Sequence, residues 1–371
     1  MNEDIRVLMV GPDRGVHGGI SAMVNTYYEA GLQKKVRLKY IGTMKEGSKA
    51  RKLTVAVLAY FRFLFSLKDF DIVHINASSD NSFMRKSFFV RAAKRHGKKI
   101  VLHQHGGDFK NYFENQISQK RRSYIKRILD MADVMLVLTK SWKEYFGGLT
   151  DDEKIVVVPN GILTEGPAAE TLGGCGRKEK YAGGGKHDLN KVLFLGRICR
   201  DKGITELLEA MDRIHAVRPS VRLYMGGIFE DREYIHEVEK RSVYVKHLGW
   251  VDGDKKRKVF DECGILVLPS YYEGMPVTVI EGMFHGLCIV ASNVGGIPEV
   301  VEDGSDGILV EPRDAAGLEE GLLKVIEQKI DVDLMIKNGR DKVLDKYSAE
   351  RIVDRLTAIY KELYSAEKKT E

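Results

Sequence analysis

The stretch GILVLPSYYEGMPVTVIEG, residues 264–282, contains the repeating element of the fold. It opens on a continuous apolar run that ends at Pro269, which is typical of a parallel strand covered on both faces. A loop follows, and the pattern from Val277 onward predicts a helix, for which Pro276 suits the first turn. A buried strand, a loop and a helix in this order indicate a parallel α/β sheet.

The same rhythm repeats on both sides of this stretch. Further strands are predicted in the first half at IRVLMVG, DIVHIN, KIVLHQHG, DVMLVLT and KIVVVPNG, and in the second half at KVLFLGR, VRLYMGG, YVKHLGWV, LCIVAS and GILVEP. Helical patterns such as ITELLEAMDRIHAV separate them. We therefore predict two doubly wound α/β domains with parallel sheets. Because ligands of such sheets bind beyond the carboxyl ends of the strands, we expect the active site in an interdomain cleft.

The domain boundaries are predicted from changes in composition along the chain. Residues 1–165 form the predicted N-terminal domain and residues 191–346 the C-terminal one. Between them, residues 166–190 are rich in glycine and poor in large apolar side chains, which predicts a linker or flexible insertion. Residues 347–371 have helical spacing and predict a terminal helix that packs back towards the N-terminal domain.

Composition also excludes several classes of protein. The chain has 371 residues, 43% of them apolar and 30% charged, which is ordinary for a folded protein. Its four cysteines form no C-x-x-C pair and MNEDIRVLMVG contains no secretory leader, so we expect a reduced, cytoplasmic protein. No stretch has the about 18 apolar residues of a membrane-spanning helix. LTVAVLAYFRFLFSL, residues 53–67, predicts a helix that covers a sheet, the favoured interpretation, or lies at a membrane interface.

Charge is unevenly distributed along the chain. Residues 1–165 contain 28 Lys and Arg against 17 Asp and Glu, a net charge of +11, whereas the remainder has 31 against 36, a net charge of −5. Such asymmetry suggests that the first half faces an anionic partner, whether nucleic acid, a lipid surface or a phosphorylated substrate. Solvated helix surfaces are the alternative.

Two carboxylates, eight residues apart, belong to the loop and the helix of the opening stretch. Glu273 lies in the loop, and Glu281 lies roughly one turn inside the predicted helix. Free backbone N–H groups at the start of this helix would form a site for a phosphate or a polar sugar. The residues at that start are Gly274, Met275, Pro276 and Val277. The alternative is that Glu281 merely complements the helix dipole.

A second cluster, GRICRDKG at residues 196–203, directly follows the strand KVLFL. Arg197 and Lys202 flank the start of the next helix, and both can point at a diphosphate, one through a planar fork and the other as a point charge. Solvated loop charges are the alternative, but the position at the end of a strand favours phosphate binding.

The first strand ends in GPDRGVHGGI, residues 11–20. This is not G-x-G-x-x-G, and no P-loop motif occurs, which argues against a dinucleotide dehydrogenase and a P-loop ATPase. Gly18 and Gly19 permit close approach of a phosphate or sugar to the backbone, although such a pair is more often a tight turn.

His103 and His105 lie in KIVLHQHGGDF, at the carboxyl end of a predicted strand, and share one face because side chains alternate along a strand. One of them suits the core, and His105, beside two glycines, is better placed for the cleft. No third ligand lies at zinc spacing, and the acidic pairs at residues 69–71 and 252–254 are typical of turns, so we predict no obligatory metal.

With these motifs the chain resembles the retaining glycosyltransferases of family four, which have the GT-B fold. The strongest match is the E-x7-E element at Glu273 and Glu281 with VLPS before it. PNGI at residues 159–162, GRICRDKG, HLGWV at residues 247–251 and NVGGIPEVV at residues 293–301 occur in the family's order. The resemblance covers nearly the whole chain.

The resemblance implies an acceptor-binding N-terminal domain and a nucleotide-sugar-binding C-terminal domain. Arg197 and Lys202 would hold the donor diphosphate, Glu281 the ribose hydroxyls and Glu273 the donor sugar. The remaining implied contacts are backbone amides near Gly274, Met275 and Val277 for the sugar or phosphate, His105 beside the sugar, and Gly18 and Gly19 near the diphosphate. No cofactor is implied.

The implied reaction moves a sugar from a UDP- or GDP-sugar to the hydroxyl of a sugar or lipid-linked acceptor, in polysaccharide or glycolipid assembly. The basic N-terminal domain fits an anionic membrane surface, so a peripheral position on the inner face of the membrane is expected. Leu163 replaces an acidic residue that is common in the family. The alternatives are a sugar-nucleotide-binding regulator without turnover, an epimerase or phosphorylase on the same scaffold and, far less favoured, a nucleic-acid-binding protein.

Overall fold

The computed structural model describes residues 5–164 and 187–368, which fall into two compact units. The first unit contains residues 1–161 and 349–371, and the second contains residues 162–348. The predicted linker lies outside the described residues as far as position 186. Its last three residues, 188–190, already belong to the first strand of the second unit. That strand extends further back than the apolar pattern indicated because Asp188 pairs with Cys263 on the neighbouring strand.

The first unit contains a six-stranded parallel sheet in the order β2-β1-β3-β4-β5-β6. The strands are β1 (Arg6–Gly11), β2 (Arg37–Gly42), β3 (Ile72–Ala77), β4 (Lys99–Gln104), β5 (Val134–Val137) and β6 (Ile155–Val157). β2 was not predicted. It is an edge strand whose exposed and half-buried residues alternate, so it lacks the continuous apolar run of a central strand.

Helices and short turns connect these strands. The helices are α1 (Gly19–Glu29), α2 (Leu32–Lys35), α3 (Lys49–Ser66), α4 (Asp80–Arg95), α5 (Phe109–Asn111), α6 (Gln119–Asp130) and α7 (Lys140–Gly147). Single 3-10 turns occur at Leu67–Asp69 and Asp152–Lys154, and a π-turn at Tyr112–Gln116. α3 is the apolar helix expected to cover the sheet. It does so with one face only, since Ala59 and Phe63 are buried while Leu53 and Phe65 are exposed.

The second unit contains another six-stranded parallel sheet, in the order β12-β11-β10-β7-β8-β9. Its strands are β7 (Asp188–Leu195), β8 (Arg222–Gly226), β9 (Val245–Gly249), β10 (Cys263–Leu268), β11 (Cys288–Ser292) and β12 (Ile308–Val310). A 3-10 turn at Arg200–Lys202 precedes the first helix. The helices are α8 (Ile204–Val217), α9 (Glu233–Glu239), α10 (Gly253–Glu262), α11 (Val277–His285), α12 (Ile297–Val300), α13 (Ala315–Ile326) and α14 (Val332–Lys346).

The terminal helix α15 (Ala349–Lys368) belongs to the first unit, although the chain reaches it from the second. It contacts α1 and β3 there. Tyr360 is fully buried, and its hydroxyl lies 2.5 Å from Nδ1 of His74 on β3. At the surface, Nζ of Lys35 donates to Asp354 at 2.7 Å. The helix is thus fixed to this unit by a buried tyrosine as well as by surface charge.

Both sheets change winding direction once. β1 pairs with β2 on one side and β3 on the other, and β7 pairs with β8 and β10 in the same way. At such a point, the loops leaving two adjacent strands turn to opposite faces and open a crevice at the carboxyl edge. The sheets therefore bring together the loops that follow β1 and β3, and those that follow β7 and β10.

Candidate functional site

The loops after β7 and β10 meet through an ion pair. Nζ of Lys202 donates to Oε1 of Glu273 at 2.5 Å, and the hydroxyl of Ser270 donates to the same oxygen at 2.7 Å. Glu273 and Lys202 are mostly buried, with side-chain exposures of 11% and 17%. These two charge-assisted hydrogen bonds offset the loss of solvent around the carboxylate. Sequence reasoning predicted that Lys202 and Glu273 follow strand ends. It predicted neither the ion pair between them nor the role of Ser270.

Two glycines allow these loops to lie so close to their neighbours. Gly203 has φ +67°, and a Cβ on it would lie 2.0 Å from the carbonyl oxygen of Pro269. Gly295 has φ +54°, and a Cβ there would lie 1.8 Å from the carbonyl oxygen of Glu273. Both positions therefore demand glycine, for backbone conformation and for space. The backbone that carries Lys202 and Glu273 is held from both sides by contacts that any side chain would disrupt.

Arg197 follows β7 as predicted but does not join this ion pair. Its guanidinium bonds to Glu230, and both side chains are more than half exposed. The neighbouring carboxylate of Asp231 accepts from the backbone N–H of Arg200 at 2.8 Å. Arg197 is therefore a solvent-facing cation beside the loop, paired to an acidic residue that sequence reasoning did not single out.

Helix α11 begins at Val277, with Pro276 as the preceding N-cap residue and no side chain capping the first turn. Pro276 fits because it has no N–H to leave unpaired. The loop residues Gly274 and Met275 are buried. The helix start thus presents backbone N–H groups beside the carboxylate of Glu273, at the positive end of the helix dipole.

Glu281 lies one turn into α11 and is held by a lysine that the sequence reasoning missed. Nζ of Lys256, on α10, lies 2.6 Å from each carboxylate oxygen. The two side chains, with exposures of 15% and 23%, line a small cleft together with Leu163, Phe260 and other apolar residues. Leu163, the departure from the family pattern, therefore adds apolar surface beside Glu281. Only the charged run at residues 255–258 hinted at a functional lysine here.

In the first unit, His105 follows β4 and bonds to β3. Nδ2 of Asn76 donates to the carbonyl of Val10 at 3.3 Å, which turns the amide oxygen of Asn76 towards Nε2 of His105 at 2.9 Å. Nε2 must therefore carry the proton, and Nδ1 is left as an acceptor. Desolvation lowers the pKa of His105 well below its ordinary value, so the ring is neutral at pH 7.

Two more histidines lie behind His105. The rings of His103 and His105 have centroids 4.0 Å apart, and Nδ1 of His103 lies 3.3 Å from Nε2 of His74. Burial, with the neighbouring histidines adding to it, lowers the pKa of both buried rings. Burial raises the pKa of Tyr360, so its hydroxyl is neutral, and it shares a hydrogen bond with Nδ1 of His74. His103 is thus the core histidine, part of a neutral network that links α15 to β3 and β4.

Gly18 and Gly19 lie where α1 begins. Gly18 is extended, and a Cβ on either glycine would meet no heavy atom within 4 Å. Packing within the protein therefore does not explain these glycines, and the space in front of them is open to solvent or to a ligand. The start of α1 has no side-chain cap and no acidic residue in its first turn.

Two features are absent from residues 5–164 and 187–368. Within them, no three His, Cys, Asp or Glu side chains are grouped so that they could hold a metal ion. None of the helices in this part of the chain is both long and apolar enough to cross a membrane.

Comparison with known proteins identifies the family to which the chain is similar. Residues 28–165 match the model described as Glycosyltransferase Family 4, and residues 177–342 match the one described as Glycosyl transferases group 1. An uncharacterized glycosyltransferase of Methanocaldococcus jannaschii is 28% identical over 61% of this chain and 59% of its own length. A UDP-Gal:alpha-D-GlcNAc-diphosphoundecaprenol alpha-1,3-galactosyltransferase of Escherichia coli is 26% identical over 89% of this chain and 84% of its own length.

The solved structures confirm the fold. The sucrose-phosphate synthase of Thermosynechococcus elongatus superposes with a TM-score of 0.79 at 20% identity, covering 98% of this chain and all of that one. The alignments with the first two curated relatives span 59% and 66% of their lengths. Two six-stranded parallel sheets in two α/β units are the GT-B architecture that the sequence motifs implied. The chain belongs to the group 1 glycosyltransferases, of the family 4 type.

Proposed function

We propose that this protein transfers a sugar from a UDP- or GDP-sugar to a hydroxyl acceptor, with retention of anomeric configuration. The observation that carries the proposal is the meeting of Lys202, Ser270 and Glu273 beside the start of α11, with Glu281 one turn further along that helix. A diphosphate bound there would meet the ammonium of Lys202 and backbone N–H groups at the positive end of the helix dipole, and carboxylates are available for sugar and ribose hydroxyls.

On binding, the donor replaces ion pairs that the charged residues of the site form with each other. Its diphosphate accepts from Lys202, from the N–H groups of Gly274, Met275 and Val277, and from Arg197 once that side chain leaves Glu230. These groups stabilise the negative charge that grows on the leaving diphosphate, which is the role a metal ion has in other transferases. On this argument no metal is required, and added chelator should leave turnover unchanged.

The two glutamates have different tasks. Glu281 exchanges Lys256 for the ribose hydroxyls. Glu273, whose Oε1 is already occupied by Lys202 and Ser270, holds a hydroxyl of the donor sugar and does not attack the anomeric carbon. The bond between the anomeric carbon and the diphosphate breaks, and the acceptor hydroxyl attacks from the face that the diphosphate leaves and gives its proton to the departing diphosphate oxygen, so the configuration is retained.

In the first unit, we assign His105 to the transferred sugar. As a neutral ring with Nε2–H fixed by Asn76, it offers Nδ1 as an acceptor to a sugar hydroxyl. Gly18 and Gly19 border the open space that would admit the diphosphate.

The N-terminal unit binds the acceptor. The Escherichia coli relative, by its name, uses a lipid diphosphate acceptor, and a similar acceptor fits the net charge of +11 in residues 1–165. We place the protein in polysaccharide or glycolipid assembly, peripherally at the cytoplasmic face of a membrane.

The test is a panel of UDP- and GDP-sugars, scored by thermal shift and by slow hydrolysis of the donor. A donor at about 100 times its Kd stabilises the folded state by about 2.7 kcal/mol. Wild type should respond to one donor, and Arg197→Ala and Glu281→Ala should lose both the shift and the hydrolysis. Arg213→Ala is the matched control, because Arg213 also forms a solvent-exposed ion pair in the second unit, with Glu319 at 3.4 Å.

The panel also separates the alternatives. Stabilisation by a donor without hydrolysis or transfer, in the presence of sugar and lipid-linked acceptors, would favour a sugar-nucleotide-binding regulator. Absence of any response in wild type would refute the donor assignment.

A further inference from the structure

Helix α3 leaves a large apolar face uncovered. Five of its large apolar side chains are exposed, with Leu53 at 67%, Phe61 at 54% and Phe65 at 77%. The other two are Val57 and Leu58. A folded protein scatters single exposed apolar residues over its surface, but a run along one helix marks a binding surface.

These side chains lie on one side of the helix. At about 100° per residue, the exposed apolar positions fall within an arc of about 140°. The opposite side is fixed in the core, where Phe63 is fully buried and its ring lies 4.9 Å from that of Phe89. Tyr60 also contacts Phe89, at 5.4 Å between ring centroids. The helix is therefore anchored by one face and presents the other, which we call the α3 apolar face (Leu53, Val57, Leu58, Phe61 and Phe65).

Positive charge borders this face. α3 contains four basic residues and no Asp or Glu. By helical spacing, Arg51 and Arg62 lie directly beside the apolar arc, and both are exposed. Neither arginine forms an ion pair with a carboxylate in the described part of the chain. An apolar face with unpaired arginines along its edge is complementary to lipid, whose acyl region takes the apolar groups and whose anionic headgroups take the guanidinium groups.

We propose that the α3 apolar face is the membrane-docking surface of this protein and that its partner is an anionic lipid bilayer, into whose interface Leu53, Phe61 and Phe65 insert. A protein partner or a second copy would need a complementary apolar surface with acidic residues at its edge. The proposal rests on the peripheral membrane position proposed above and names the surface that produces it, but it does not require sugar transfer, because docking needs neither donor nor acceptor.

The test is cosedimentation of the full chain with vesicles of phosphatidylcholine alone and with about one-third phosphatidylglycerol. Wild type should pellet with the anionic vesicles only, and about 0.5 M salt present at mixing should prevent it. A triple variant, Leu53→Ser, Phe61→Ser and Phe65→Ser, should weaken partitioning by at least about tenfold, since three large apolar groups no longer leave water. Arg51→Gln with Arg62→Gln should weaken it as well.

The matched control replaces three other exposed apolar residues, all in the second unit, with Val217→Ser, Leu334→Ser and Leu344→Ser. It should bind vesicles as wild type does. All variants should keep the wild-type melting temperature and the donor-induced thermal shift, which separates failure of docking from failure of the fold or of the proposed transferase. Unchanged pelleting of the α3 variant would overturn the proposal. So would a wild-type dimer that the α3 variant abolishes, because the face would then bind a second copy.

Discussion

Lys86 is a buried lysine whose removal should stabilise the protein. It lies on α4, is 2% exposed, and its ammonium bonds to the hydroxyl of Thr43. Among the described residues, no carboxylate lies within ion-pair distance of it. Desolvation, with the nearby Arg85 adding to it, lowers the pKa of Lys86 to about 7. The folded state therefore holds this proton much less tightly than the unfolded chain does.

The size of the effect follows from that pKa. An ordinary lysine pKa of 10.5 lowered to about 7 corresponds, at about 1.4 kcal/mol per pH unit, to about 5 kcal/mol at most. Between pH 7 and 10.5 the unfolded state binds more protons than the folded state, so stability rises with pH in this window. At pH 7, where the buried amine is about half protonated, the remaining cost is about 4 kcal/mol.

Lys86→Met removes the charge and keeps an unbranched side chain of similar length. Urea unfolding at pH 7 should show the variant more stable than wild type by up to about 4 kcal/mol, and the difference should shrink towards zero by about pH 10. Thr43 keeps its own bond, from its hydroxyl to the carbonyl of Gly11 at 2.9 Å. Lys68→Met, an exposed lysine in the same unit, should change nothing at either pH. A less stable Lys86→Met, or a gain that does not vary with pH, would refute the reasoning.

Two further substitutions test the packing around the site and the terminal helix. Gly295→Ala should lower the free energy of unfolding by more than about 1 kcal/mol and abolish the donor-induced shift, because it forces a Cβ against the carbonyl oxygen of Glu273 in a left-handed conformation; a melt with and without donor measures both. Tyr360→Phe should cost about 1–3 kcal/mol by leaving the buried Nδ1 of His74 without its hydrogen-bond partner; an unchanged urea midpoint would contradict this.

The sequence was sufficient for the architecture because central parallel strands are apolar without interruption. β10 and β11 are buried at every residue, and the pattern found them directly. β2 was not predicted because it is an edge strand. One side of its hydrogen-bond ladder is unpaired, and it tolerates Arg37 and Lys39 at the surface. A continuous apolar run thus indicates a buried strand, and it does not identify a strand whose residues are exposed.

The candidate site was predicted as separate parts. Glu273 and Glu281 share one stretch, so their relation follows from local structure alone. The bond between Lys202 and Glu273 does not, because it depends on β7 and β10 being neighbours at the point where the winding reverses. Lys256 was missed for a similar reason, since only the packing of α10 against α11 turns a lysine in a charged run towards Glu281.

In α3 the apolar sequence suggests more burial than the structure shows. Its sequence is apolar enough to suggest a helix buried against a sheet, and composition alone cannot say which apolar residues the sheet covers. A sheet covers one face of a helix, so a helix that is apolar nearly all round must leave some apolar surface exposed unless a second layer packs over it. Here the structure buries Phe63 and exposes Phe65, two residues further along the chain.

The charged side chains of the candidate site pair with one another. Lys202 holds Glu273, Lys256 holds Glu281, and Arg197 holds Glu230. Removing one member of either mostly buried pair would leave the other charge without its partner, so each residue holds the other in position. A donor that brings a diphosphate and ribose hydroxyls would exchange these bonds for new ones rather than add to them. Its net affinity is then set by the difference between the old and new partners, which makes binding selective for a ligand that replaces all of them at once.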